Sequence, residues 1–212
     1  MERPDLADEL GRMASTDLAL RQRLADTGEL FGGYHPEMRA VHRRNGDRLS
    51  EILDQLGGWP GFGLVGVDGS EAAFLIAQHD IANPPLLRRA FDLYETAVAA
   101  GEAEPRRLAH LEDRICYFEG RAQRYGTQLG WDSNGRFGPW PPVEDPGSVD
   151  RRRAVLGLST LTQALADAAA DRPATRPSAE VMAEHDAADN FARQVGWRPS
   201  SDGPRIRDDA GM

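Results

Sequence analysis

A chain of 212 residues, 40% of them hydrophobic, is long enough to bury a sizeable core and fits one domain with appendages better than two. It carries 34 acidic against 25 basic side chains for a net charge of -9, and every basic one is arginine. The lack of lysine removes Schiff-base chemistry except at the N-terminal amine and removes the Walker-type phosphate loop, which needs its lysine.

The acidic balance argues against a nucleic-acid partner. The short arginine clusters, Arg39 with Arg43, Arg44 and Arg48, and Arg151 to Arg153, read as solvated helix faces. The single Cys116 cannot make an intramolecular disulfide. No apolar run reaches the about eighteen residues of a membrane span. The start "MERPDLADELGRM" places acids where an export signal needs a basic region. A soluble cytoplasmic protein is expected, and the arginine-for-lysine, alanine-rich composition resembles that of a high-GC bacterium.

From Pro4 to about Leu30, the residues Leu6, Leu10, Met13, Leu20 and Leu24 recur at helical spacing behind a proline suited to a helix start. "GGYHP" breaks this helix. A second runs from Pro36 to about Leu56 on the stripe Met38, Val41, Asn45, Leu49, Ile52, Leu53 and Leu56, of which Asn45 is the polar member. "GGWPGFGLVGVDGS" reads as a loop, with Ser70 capping a short apolar third helix that puts His79 on its buried stripe and ends before "NPP". A fourth helix spans about Pro85 to Ala100. A fifth, opened by Pro105, carries Asp113 among the small neighbours Ala109, Cys116 and Gly120. "YGTQLGWDSNGRFG" reads as a hairpin around its "NG" turn. Two short helical pieces, Val149 to Leu158 and Leu161 to Ala170, precede a proline-rich linker, one more helix and a tail from Arg198 onward expected to be disordered. The expected fold is mainly α: a single-domain bundle of five core helices with a small β-hairpin insertion and a flexible C-terminal arm. Its divisions are an N-terminal helix (1–30), a core helical domain (31–170) and a terminal segment (171–212).

The letters "GFGLVG" from Gly61 to Gly66 match the dinucleotide fingerprint, but Trp59-Pro60 stands where a strand must precede it and the surroundings are helical. The glycines are turn residues. No Glu-x-x-His pair of a di-iron bundle occurs, so no cofactor is expected. A divalent metal on His42, His79 and Asp113 is a lesser option against histidines that only hydrogen-bond. Buried polar residues must be satisfied by one another or by a ligand. Asn45, His79 and Asp113 therefore form either a packing network or a pocket. In the pocket reading, His79 and Asp113 are acid and base, Gln123, Tyr125 and Gln128 orient a small molecule, and Arg114 holds its carboxylate or phosphate, unless it pairs with Glu119 or Asp80. The site expected from sequence thus has His79 and Asp113 as catalytic residues, with Asn45, Arg114, Gln123, Tyr125 and Gln128 binding substrate. A non-catalytic binding or interaction module is the alternative.

"GWP" at Gly58, "VGVDGSEAAFLIAQH" from Val65, "LEDRI" from Leu111, "GRAQRYGTQ" from Gly120 and "VEDPGSVDRRRAVLGL" from Val143 together resemble a bacterial family, number six-six-two-four of the domains of unknown function, over about Leu30 to Ala170. The resemblance implies no agreed activity. It does imply that an acid usually stands at His42, a threonine at Gly46, an acid at Ile81 and an aspartate at Asn83, so that this chain carries an altered site. A changed substrate and a lost activity both fit such an alteration.

Overall fold

The computed structural model describes residues 2–31, 33–170, 172 and 175–200. The expected disorder of the tail falls largely on residues outside these. Five long helices come first: α1 (Pro4–Asp26), α2 (Pro36–Leu56), α3 (Phe62–His79), α4 (Pro84–Ala99) and α5 (Pro105–Glu119). Four of the five start on a proline, whose missing N–H would be unpaired there anyway and whose fixed φ suits the first turn. A hairpin of β1 (Leu129–Trp131) and β2 (Phe137–Pro139) follows, paired antiparallel with Trp131 opposite Phe137. Then come α6 (Val149–Val155), α7 (Leu161–Ala169) and α8 (Ser178–Val195). The mainly α bundle with its hairpin insertion is the architecture the sequence periodicity predicts.

One core runs through the first five helices. Leu6 and Leu10 of α1 join Leu49, Ile52 and Leu53 of α2, Phe74 and Ile76 of α3, Leu87 and Tyr94 of α4, and Leu111 and Phe118 of α5. Helix α1 is therefore built into the bundle. Fully burying each large apolar side chain contributes about 1.5–3 kcal/mol, so the α1 stripe alone makes this helix costly to detach.

The segment expected to be a loop before Ser70 is helical from Phe62 onward, broken at Gly66, where φ 74° and ψ 174° lie outside the reach of ordinary L residues. The signal for its start is distant in sequence. Glu102 accepts from Gly63 N–H with its carboxylate (2.6 Å) and from Phe62 N–H with its carbonyl (2.9 Å), so a residue 39 positions away satisfies donors left open at a helix start. Ser70 lies inside the helix, and its hydroxyl accepts from Trp59 Nε1 at 3.0 Å.

Helix α8 lies against α5. Trp197 stacks on Phe118 (centroids 5.4 Å apart) and donates to the Ile81 carbonyl at 2.7 Å, while Arg198 donates to the carbonyls of Phe118 and Tyr117. Residues 198–200 are thus described and Arg198 is fixed on α5, whereas the remainder of the expected tail lies outside the described residues. Among the described residues no helix is long and apolar enough to cross a membrane.

Candidate functional site

Two buried aspartates anchor two different regions. Asp113, on α5, is fully enclosed. Its Oδ1 accepts from the backbone N–H of Arg124 (2.8 Å) and Tyr125 (3.1 Å), and its Oδ2 accepts from that of Thr127 (2.8 Å). Burial pushes its carboxyl upward, and the three backbone donors work against that shift. Gln123 is equally enclosed: its Nε2 donates to the carbonyls of Gln128 (2.9 Å) and Pro141 (2.5 Å), and its Oε1 accepts from Gln128 N–H (2.8 Å). The Tyr125 carbonyl accepts from Arg153 at 2.7 Å. The Gln123 side chain and the backbone of the YGTQ segment are spent on folding this loop.

Asp17, on α1, is as deeply buried but differently used. Its Oδ2 lies 2.9 Å from His79 Nδ1 and 3.3 Å from His42 Nε2. Three helices thus deliver one carboxylate and two imidazoles, and their ligand-capable atoms all fall within 4.8 Å of one another. Burial acts to raise the Asp17 carboxyl, but the contacts with His42 and His79 outweigh it and hold the group well below the ordinary range. The opposite nitrogen of His42, Nδ1, lies 2.8 Å from the Tyr34 hydroxyl. Tyr34 in turn meets Phe191 of α8 edge-on at 5.6 Å. Asp17 Oδ1 and His42 Nε2 are closed to solvent with no hydrogen-bond partner.

Asp80 follows His79 directly and is also buried, with Oδ2 unpartnered and its carboxyl pushed up to about 6 by burial. It fits because position 46 is glycine: a Cβ there would stand 2.0 Å from Asp80 Oδ2. Asn45, one residue earlier, donates to the Met13 carbonyl at 3.1 Å and so ties α2 to α1.

His42 and His79 line a cavity of about 610 Å³ together with Tyr34, Gln78, Arg21 and Arg114, and with apolar Leu18, Met38, Leu75 and Ile81. Arg114 is half-buried, its Nε is closed to solvent without a partner, and burial pulls its pKa down to about 10, leaving it charged at neutral pH. Glu119, one partner considered for it, is taken by Arg88 and Arg121. Tyr117 and Arg21 are the charged or titratable groups acting on it, and no carboxylate is among them.

The structure therefore brings together His79, His42 and Arg114 of the residues singled out from sequence. Asp113, Gln123, Tyr125, Gln128 and Asn45 do not line the cavity; Asp113, Gln123 and Asn45 are engaged in loop and helix packing through their side chains, and Tyr125 and Gln128 through their backbone groups. The carboxylate beside the two histidines is Asp17, absent from the sequence-based candidates. A signal for it existed. Asp17 continues the apolar stripe Leu6, Leu10, Met13, Leu20 and Leu24 at helical spacing, and an acid on a buried stripe requires a partner.

The chain belongs to a family of unknown function, DUF6624, whose model matches residues 4–171. That span takes in α1 and with it Asp17, beyond the stretch over which the resemblance was read. No curated protein and no solved structure matches the chain.

Proposed function

We propose that the chain is a small-molecule enzyme whose acid-base chemistry is centred on Asp17, His42 and His79 and whose substrate carries a carboxylate or phosphate held by Arg114. The observation that carries this reading is the Asp17 to His79 contact of 2.9 Å at the wall of a 610 Å³ cavity. A buried carboxylate on Nδ1 fixes the ring's tautomer and orientation and leaves Nε2 to exchange a proton with a bound molecule. A cavity of this size suits a small organic molecule, with apolar walls and a few placed polar groups.

The charge on the substrate is argued from Arg114. A guanidinium with a solvent-excluded, unpaired Nε costs stability unless something accepts from it, and planar carboxylate or phosphate groups match its geometry. The net charge of -9 favours a small partner over a nucleic acid, and the reducing interior of a bacterial cell suits a buried free Cys116.

One observation favours a second reading, a non-catalytic module. The Asp17 contacts join α1 to α2 and α3, and such contacts would also serve packing alone. Incubating the wild-type protein with a metabolite extract and following consumption by mass spectrometry separates the two. An anionic compound consumed by wild type but not by folded His79→Ala or Arg114→Ala supports the enzyme. If no compound is consumed and both variants unfold, the packing role stands.

A further inference from the structure

We propose that Asp17, His42 and His79 form a binding site for one divalent transition-metal cation. The proposal rests on the enzyme reading's own cluster and deepens it, because the proton-transferring group of the pocket becomes a cation-bound water.

The first support is distance. A cation about 2.0–2.2 Å from each oxygen or nitrogen donor sets neighbouring donors about 2.9–3.4 Å apart. Asp17 Oδ2 stands 2.9 Å from His79 Nδ1 and 3.3 Å from His42 Nε2, and all three atoms lie within 4.8 Å of one another. Hydrogen bonding alone uses this geometry poorly. His42 Nε2 lies close to the carboxylate without forming a bond, and Asp17 Oδ1 is likewise unpartnered although sealed from water. Two buried polar atoms left open in one cluster are a cost, and a cation would employ the His42 nitrogen while neutralising the carboxylate.

The second support is the shell behind the donors. Metal-binding imidazoles usually donate their other N–H to a fixed acceptor, which sets the tautomer. The Tyr34 hydroxyl lies 2.8 Å from His42 Nδ1; in the tautomer whose Nδ1–H donates to it, the lone pair of Nε2 faces Asp17. Asp80, adjacent to His79 and with an open buried Oδ2, adds an acid that a nearby cation would relieve.

The donor set argues for the metal class. Two imidazoles and one carboxylate with remaining positions open suit zinc, iron, cobalt or manganese over calcium or magnesium, which take all-oxygen sets. His42 and His79 both face the cavity, so the open positions would face a bound molecule whose anionic group lies on Arg114. There the cation would lower the pKa of a bound water toward neutrality.

The test is equilibrium dialysis of the full chain, first stripped with chelator, against Zn²⁺, followed by elemental analysis. Wild type should hold one equivalent. Asp17→Asn, His42→Gln and His79→Gln should each weaken binding by about 100-fold, and Tyr34→Phe by about 10-fold. His110→Ala, His185→Ala and His35→Ala should leave it unchanged. Because a ligand variant could fail to fold, circular dichroism accompanies each one, and Co²⁺ added to wild type provides a readout independent of substitution: a visible spectrum distinct from hexaaqua cobalt. No stoichiometric Zn²⁺ in wild type, a Co²⁺ spectrum of the aqua ion alone, or Zn²⁺ binding lost only with His35→Ala would overturn the site. The enzyme reading fails separately. Metabolite consumption that survives chelator treatment but is abolished by His79→Ala removes the cation and retains the acid-base pair. Tight Zn²⁺ binding without consumption by the loaded protein retains the site and removes the enzyme.

Discussion

Asp113 and Asp17 are both fully enclosed aspartates on long helices, and they mark opposite designs. Asp113 accepts three backbone N–H groups from one loop, and that loop is further fastened by Gln123 and Arg153. Asp17 faces, across helix boundaries, two imidazoles that line a cavity, and keeps one buried oxygen without a partner. The first set of contacts is complete within the protein, while the second leaves bonding capacity for something else. Burial of a charge therefore does not identify a site, but incomplete satisfaction next to space does.

This contrast can be broken or sharpened by substitution, beginning where the effect should be largest. Asp113→Ala strands three backbone donors and should cost about 3–5 kcal/mol, which for a chain of this length lowers Tm by about 6–20 °C; a thermal melt checks it. A loss of less than about 1 kcal/mol would show that the YGTQ loop does not depend on that carboxylate.

His110 belongs to the same complete region, three residues before Asp113 on α5. Burial first, then Arg107, Arg114 and Arg153, hold its pKa down to about 4 against an ordinary 6.5. Between those values the unfolded chain binds the proton and the folded chain does not, so stability falls as pH drops from about 6.5 toward 4, by about 2–3 kcal/mol. Urea unfolding of wild type and His110→Gln across that range should show a shallower decline in the variant; parallel curves would contradict the shift.

Gly46→Ala tests the crowding beside the open cluster. The added methyl must displace the Asp80 carboxylate, which should outweigh alanine's better helix propensity and cost about 1–3 kcal/mol. In an Asp80→Ala background the penalty should vanish, giving a coupling of about 1 kcal/mol or more in a double-mutant cycle. Additivity would mean that the two residues do not meet. Asp17→Asn should have the smallest effect of the four on stability, about 1–2 kcal/mol, because the amide oxygen can still accept from His79. Its denaturation midpoint should lie well above that of Asp113→Ala, and coincidence of the two would erase the distinction drawn between the regions.

The bundle was legible because its signals are local. Pro4, Pro36 and Pro105 announce their helices, the stripe from Met38 to Leu53 is buried as its spacing requires, and "NG" turns the hairpin. The start of α3 was not, because Glu102 supplies its donors' partner from another part of the chain. The candidate site was legible in halves. His42 and His79 stood out as paired histidines and Arg114 as an anion holder, but Asp113 looked equivalent to Asp17 until its partners were known. Those partners are backbone N–H groups 11 to 14 residues further on, which no side-chain pattern reports. Asp17 was readable in principle from the phase of the α1 stripe, yet its two imidazoles come from separate helices.

The most direct measurement is a nitrogen-detected NMR titration of the imidazoles with Zn²⁺, since it reports on individual ring atoms of the five histidines. The account predicts that Nε2 of His42 and Nδ1 of His79 move to metal-bound positions at one equivalent while His110 and His185 keep theirs. Unchanged His42 and His79 resonances, or equal movement of all five rings, would contradict it.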